Sequence, residues 1–254
     1  MNKKNITSKY FLIFLIISIW IIGSYFSLWN SYIIPYPEKV FLTTIKLLKN
    51  GELFKHMATS ISRIFLGFSV AVFLGIPSAI IFGMFPKIYN YFKIILEFMR
   101  HTPPLALIPM IILWFGIGEF SKITIIILAS FFPVFLNTLK GIKSCDKKLI
   151  EVGQVFNFTK YEIFKKIILP SAIPDILNGI KLGIGYSWRA IIGAEMIAAS
   201  SGIGYLILDG QQMSRSDIVV VGIFSIGFFG SFTDYICSQI IKKYIKKRGI
   251  FYEE

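Results

Sequence analysis

Residues 64–85 read IFLGFSVAVFLGIPSAIIFGMF and contain no charged side chain over 22 positions. A helix rises about 1.5 Å per residue, so this segment is long enough to cross the ~30 Å hydrocarbon core of a bilayer. A small residue recurs at every fourth position, at Gly67, Ala71, Gly75, Ala79 and Gly83. These residues share one side of a helix, where a neighbouring backbone can approach closely. The segment therefore predicts a membrane-spanning helix that packs through small residues.

Further apolar segments on both sides of this one raise the predicted number of transmembrane helices to about six. They comprise residues 11–29, 98–118, 123–139, 176–208 and 218–241. The segment 98–118 is interrupted by prolines, and the segment 176–208 contains three charged residues. Gly179 and Gly183 repeat the four-residue spacing of the small residues. The pattern predicts an all-α integral membrane protein.

The composition excludes several other classes of protein. Hydrophobic residues make up 55% of the 254 residues and charged residues only 16%, whereas soluble domains carry about 25% charged residues. So apolar a chain is not intrinsically disordered. Cys145 and Cys237 provide neither a disulfide framework nor a Cys/His cluster, so we expect no metal site. A phosphate-binding G-x-x-x-x-G-K-[ST] motif is absent, and we expect neither an enzyme nor a cofactor bound by this chain.

The distribution of Lys and Arg predicts the orientation in the membrane. The chain has 27 Lys plus Arg against 14 Asp plus Glu, a formal net charge of +13. Residues 1–10, 86–100, 140–175 and 242–254 together hold 18 of the 27 basic residues. Because cytoplasmic segments of membrane proteins are enriched in Lys and Arg, both termini are predicted to be cytoplasmic. A multi-pass membrane protein explains this charge better than a nucleic-acid partner does.

Charged residues also lie within the predicted spans, among them Arg189, Glu195 and Asp234. Each costs roughly 2.5–3.5 kcal/mol at the centre of a membrane helix, so each should face protein or water. One interpretation is a polar path for solute along Trp188, Arg189 and Glu195, in which Arg189 offers a cation to an anionic substrate. The other is structural pairing, or side chains that reach the membrane interface. Both remain open from the sequence.

The segment 149–170, LIEVGQVFNFTKYEIFKKIILP, lies in the longest of the predicted cytoplasmic loops. It predicts two short helices, 151–156 and 159–166, joined at Asn157. Such a joint requires a left-handed backbone, which Asn tolerates best after Gly. The second helix carries an aromatic surface with a basic edge, formed by Phe158, Tyr161, Phe164 and Lys165. This surface suits a groove on a partner protein, and the alternative is a helix that lies in the membrane interface.

This loop resembles the signature loop of inner-membrane permease subunits of ABC importers. The family pattern is E-A-A, three residues, Gly, nine residues and I-x-L-P. Glu151 and the segment 167–170 are in register, whereas Val152 and Gly153 replace the alanines and Asn157 replaces the glycine. The resemblance implies that the loop docks onto a separate ATPase. The coupling residues would be Glu151, Gly153, Phe156, Asn157, Tyr161, Phe164, Ile167, Leu169 and Pro170.

More specifically, the chain resembles the permeases that serve nitrate, aliphatic sulfonates, taurine and related solutes. Further stretches carry this resemblance, at residues 101–109, 114–119, 132–138, 194–196 and 201–205. The resemblance implies a type I ABC importer permease fold, a location in a bacterial cell membrane and a small, anionic solute. It also implies a second permease copy, two ATPase subunits that hold ATP and Mg, and an extracytoplasmic substrate-binding protein.

The expected organisation is a single transmembrane permease domain over residues 1–254. Residues 1–60 supply an N-terminal helix and an outer connecting segment, and residues 61–241 supply the core helices, with the cytoplasmic coupling loop at 140–175. Apart from these protein partners, the chain would contact membrane lipid. The alternative function is a secondary transporter driven by an ion gradient, for which we find neither repeated halves nor paired carboxylates.

Overall fold

The computed structural model describes the backbone of residues 3–247 and the side chains of residues 11–245, and within these limits all regular structure is helical. The helices are α1 Lys3–Tyr25, α2 Pro37–Lys49, α3 Glu52–Met84, α4 Pro86–His101, α5 Ile108–Phe115, α6 Glu119–Lys143, α7 Lys147–Val155, α8 Lys160–Ile163, α9 Leu169–Ala198, α10 Ile203–Gln212 and α11 Ser216–Lys247. A 3₁₀ turn, Pro104–Leu107, precedes α5, and a π turn, Phe164–Ile168, joins α8 to α9.

Four of the described helical segments are long and apolar enough to cross a membrane. They are α3, α6, the continuous helix Lys160–Ala198 that contains α8 and α9, and the described part of α11, Ser216–Ile245. The bent pair Pro86–His101 and Pro104–Phe115 would make a fifth span. The described apolar part of α1, Phe11–Tyr25, is shorter than these spans. The helical membrane fold predicted from the sequence is confirmed, although several of the predicted spans have different boundaries.

The predicted third span, 98–118, is wrong as a single helix. The chain bends by 87° between Pro86–His101 and Pro104–Phe115. Proline lacks the N–H that an α-helix requires and disfavours the helical conformation of the preceding residue. Thr102 and Pro103 accordingly have extended ψ angles of 117° and 125°. Two consecutive prolines therefore break the span where an apolar segment alone would have continued it.

The predicted fifth span, 176–208, is also not one helix. Helix α9 ends at Ala198, and α10 begins at Ile203 after a short break. Gly202 has a φ angle of +117°, a conformation that a side chain disfavours, so the helix cannot continue through it. The predicted first span also differs, because α1 ends at Tyr25 rather than at Trp29. Apolar composition alone does not reveal these helix ends.

Helix α6 forms the centre of the bundle and packs between α3 and α9. The small residues of α3 face it, and Ala71 and Ala79 are completely buried. A Cβ atom added to Gly67 would lie 2.8 Å from the Cβ of Ile126 on α6. On the other side of α6, a Cβ added to Gly179 would lie 3.1 Å from the carbonyl oxygen of Pro133. Larger residues at these positions would force the helices apart.

The bundle has two ends that concern function. At the loop end, α6 finishes, the segment from α7 to α8 crosses, and α9 begins. At the far end, α3, α6 and α11 begin and α9 finishes. Helix α2 packs at the far end, where Thr43 Oγ1 donates a 2.7 Å hydrogen bond to Asp217 Oδ2 at the start of α11. Polar groups therefore collect at both ends of the bundle, while apolar packing holds the middle.

Candidate functional site

The segment between α6 and α9 forms an elbow at the loop end. Asn157 has a φ angle of +55°, the left-handed conformation predicted for the joint. Side-chain caps fix the helix starts on both sides of it. Asp146 accepts a 2.9 Å hydrogen bond from the backbone N–H of Lys148, and Thr159 and Glu162 form a reciprocal capping box at the start of α8. The local sequence therefore specifies both the turn and the direction of the helices that leave it.

Gly153 joins the two arms of this elbow. It is buried, and a Cβ added to it would lie 2.7 Å from Cδ1 of Ile167 and 3.3 Å from Cγ1 of Ile163. The absence of a side chain thus lets α7 cross closely over the start of the long helix. Ile163 and Ile168 are buried in one cluster with Ile142 of α6. This packing attaches α7 to the transmembrane bundle rather than leaving it on a free loop.

Helix α7 turns an apolar surface outward. Leu149, Val152 and Phe156 are exposed, with Phe156 at 70%. They border an open groove of roughly 910 Å³ that Ile167 and Pro170 also line. Exposed apolar side chains that cluster in this way mark an interaction site. These residues are spaced three and four apart in the sequence, as on one side of a helix. From the sequence, the docking surface was predicted on the second helix instead, because that helix carries more aromatic residues.

The predicted second helix, 159–166, is the start of the long helix rather than a separate element. The N–H of Leu169 bonds to the carbonyl of Phe164, five residues earlier, and this π turn carries α8 into α9. Tyr161 is 67% exposed, but Phe158 and Phe164 are partly buried and pack inward. Leu169 packs inward with them. Only part of the predicted aromatic surface therefore remains available to a partner.

The structure does not bring the three predicted path residues onto one surface. Trp188 is buried and its Nε1 donates a 3.0 Å hydrogen bond to Thr233 of α11. Glu195 is completely buried among α3, α9 and α10. Arg189 is exposed, with its guanidinium 5.4 Å from the centre of the Tyr186 ring. Of the three, only Arg189 can meet a solute without rearrangement of the chain.

A buried ion network at the far end explains the position of Glu195. Arg63 of α3 is 3% exposed, and its Nη1 lies 2.8 Å from Glu195 Oε1. Its Nε and Nη2 each donate a 2.6 Å hydrogen bond to Glu119 at the start of α6. Lys122 adds a 2.8 Å ion pair to Glu119. The network ties three helices together, and it was not predicted because the partners of Arg63 lie 56 and 132 positions away in the sequence.

Side chains in and next to this network also bond to the backbone at the break between α9 and α10. The first N–H groups of α10 have no partner within their own helix, so other groups must accept from them. The N–H of Gly202 bonds to Nδ1 of His56, that of Ile203 to Ser60 Oγ, and that of Gly204 to Glu195 Oε2. A Cβ on Gly202 would collide with the Glu195 carboxyl group. Of the two interpretations of Glu195, the geometry favours structural pairing.

Comparison with known proteins gives a consistent result for most of the chain. The model of the family described as "Binding-protein-dependent transport system inner membrane component" matches residues 71–248. The protein named as the aliphatic sulfonates transport permease SsuC of Bacillus subtilis is 38% identical over 236 residues, covering 93% of this chain and 86% of that protein. The taurine transport system permease TauC of Escherichia coli is 33% identical over 213 residues, covering 82% and 78%.

A solved structure supports the same fold. A chain of an amino acid ABC transporter, crystallised with histidines, superposes with a TM-score of 0.66. The match covers 82% of this chain and 98% of the other, at 16% sequence identity. At this identity, the similarity establishes the fold and does not extend to the solute.

Proposed function

Because the chain belongs to the family of binding-protein-dependent transport system inner membrane components, we propose that it carries a small anionic solute. In this proposal, a separate ATPase drives transport by acting on the 151–170 loop of the chain. It is the permease subunit of an ABC importer and a multi-pass membrane protein. Its relatives are transport permeases rather than enzymes, and they favour an ABC importer over an ion-gradient-driven transporter. A substrate-binding protein and an ATPase are therefore its functional partners.

The exposed apolar surface of α7 is the observation that carries the coupling role. Leu149, Val152 and Phe156 would fill a hydrophobic groove on the ATPase, as an amphipathic helix does in many complexes. Glu151 is exposed beside them and has no ion pair within residues 11–245, so its carboxylate is available to a cation of the ATPase. ATP and Mg would bind to the ATPase and not to this chain.

The long helix Lys160–Ala198 offers a direct mechanical connection. At 1.5 Å per residue, its 39 residues extend about 58 Å from the elbow to the Arg63 network. In our proposal, ATP binding closes a pair of ATPase subunits and draws together the loops of two permease copies. Because Gly153 seats α7 directly on this helix, displacement of the loop moves the whole helix. The path between the copies then opens outward and returns after hydrolysis.

Arg189 supports an anionic solute. It lies on an exposed part of a membrane-spanning helix, where lipid would be an unfavourable neighbour for a guanidinium group. A second permease copy and the water between the copies would cover it. The relatives SsuC and TauC are named for sulfonates and taurine, which carry the anionic sulfonate group. The charge distribution of the sequence supports cytoplasmic termini and an extracytoplasmic site of solute delivery.

The coupling proposal is tested by changing the α7 surface. Val152→Asp places a charge in its centre and should abolish co-purification of the ATPase and ATP-driven uptake in proteoliposomes. Leu42→Asp is the matched control, since Leu42 is similarly exposed, at 57% against 51% for Val152, but lies on α2 at the far end. Unchanged ATPase binding in Val152→Asp would contradict the proposal. Uptake assays with ethanesulfonate, taurine and nitrate test the solute class separately.

A further inference from the structure

A second pair of charges lies inside the apolar helices. Lys181 of α9 and Asp234 of α11 approach to 3.7 Å between Nζ and Oδ2, with side chains 37% and 53% exposed in the single chain. Charged side chains in membrane helices are found facing protein or water, because hydrocarbon solvates them poorly. In the assembled transporter, this side of α9 and α11 therefore faces the path or the second copy.

Arg189 lies on the same helix, eight residues further along. This spacing places it about 12 Å along the axis and roughly 80° around the helix from Lys181. Arg189 contacts the Tyr186 ring, and no carboxylate within residues 11–245 forms an ion pair with it. Asp234 therefore balances the charge of Lys181, whereas the charge of Arg189 has no carboxylate partner within these residues.

The Lys181–Asp234 pair does not hold α9 against α11. The atoms are 3.7 Å apart, beyond hydrogen-bond distance, and a pair accessible to water contributes little to stability. The contact between these helices rests on buried groups, among them Trp188, which bonds to Thr233 at 3.0 Å. The main effect of the pair is therefore to lower the net positive charge of the surface that α9 and α11 present on this side.

We propose that Asp234 sets the anion affinity of the path by cancelling the charge of Lys181, so that the solute meets one net cation, at Arg189. This inference rests on the proposed anionic solute. A transport path must bind its solute weakly enough to release it. With the axial rise of about 12 Å taken as the separation, Coulomb's law at an effective dielectric constant of ~20 gives at most roughly a tenfold effect on anion affinity for one added or removed charge, and this effect decreases as salt screens the charges.

Three variants test the inference in the complex with the ATPase. Asp234→Asn leaves Lys181 unbalanced and should bind radiolabelled ethanesulfonate more tightly, by up to about tenfold at low ionic strength. ATP-driven uptake in proteoliposomes that contain the binding protein should then be slower. Lys181→Met should weaken binding. The double variant restores the net charge and should return close to the unmodified protein. Glu97→Gln, which removes an exposed carboxylate on α4, is the control for a change of total charge and should alter neither quantity.

The outcomes separate this inference from the proposed function. Equal ethanesulfonate binding in Asp234→Asn and in the unmodified complex would overturn the inference while leaving the proposed function intact. Weaker binding in both single variants and in the double variant would show a structural role, and would also overturn it. Size-exclusion chromatography verifies that each complex is assembled. Failure of the unmodified transporter to bind or import ethanesulfonate, taurine and nitrate would instead overturn the anionic solute, and this inference with it.

Discussion

Replacement of Arg63 should be the most destabilising single change at the far end of the bundle. Arg63→Met removes the only cation that contacts the buried Glu195 carboxylate within the described chain. Glu195 would keep its hydrogen bonds to Ser60 and to the N–H of Gly204, but its charge would be unpaired. Breaking a buried ion pair in this way costs about 3–5 kcal/mol. This is a large fraction of the roughly 5–15 kcal/mol that stabilises a typical protein.

The expected loss can be measured as a change in melting temperature. For a chain of this size, each kcal/mol lowers Tm by about 2–4 °C, so Arg63→Met should lower Tm in detergent by roughly 6–20 °C. The double variant Arg63→Met/Glu195→Gln removes the unpaired charge and should recover most of the loss. Arg100→Met is the control, because Arg100 is exposed and forms no ion pair with any carboxylate of residues 11–245. A decrease in Tm no larger than that of the control, or no recovery in the double variant, would refute this account of the network.

Three other substitutions test the backbone and the elbow. Gly202→Ala should destabilise the protein by about 1–3 kcal/mol through overpacking, because the added Cβ would collide with Glu195. Gly118→Ala is the control: a Cβ at this position has no atom within 4 Å, so Tm should be nearly unchanged. Asn157→Val should destabilise the protein by about 1–2 kcal/mol, because valine disfavours the left-handed conformation of this position. Asn157→Gly should preserve ATPase binding and Tm. Equal Tm values for these two variants would contradict the assigned turn. Thr159→Ala removes the capping box and should cost about 1 kcal/mol, seen as faster amide hydrogen exchange at the start of α8 but not in α10.

The features that the sequence predicted correctly depend on local patterns. Uncharged length predicted the spanning helices, and the spacing of small residues predicted the side of α3 that packs on α6. The left-handed joint at Asn157 followed from the residue types that tolerate this conformation. Each of these depends on neighbours in the sequence, so no knowledge of the tertiary structure was needed.

The features that escaped prediction depend on distant residues. Arg63 pairs with Glu119 and Glu195, which are 56 and 132 positions away, and no local pattern connects them. The break before α10 likewise needs His56 and Ser60 of another helix to accept its backbone N–H groups. Because these partners are distant in the sequence, hydropathy alone predicted a single span over residues 176–208. The exposed face of α7 was present in the sequence, but the nearby aromatic residues favoured the second helix.

The length of the uncharged part of α3 relates the Arg63 network to the thickness of the lipid bilayer. Residues 64–84 are 21 residues long and extend about 31 Å, close to the hydrocarbon thickness of an average membrane. Arg63 then lies at the boundary between acyl chains and head groups, with the 59% exposed Glu119 side chain toward water and Glu195 sealed inside. In a bilayer of longer acyl chains, this boundary would rise past Arg63, and α3 would have to tilt or the lipid would have to thin around it. The acyl-chain length of the host membrane thereby becomes a physical variable on which the stability of the Arg63 network depends.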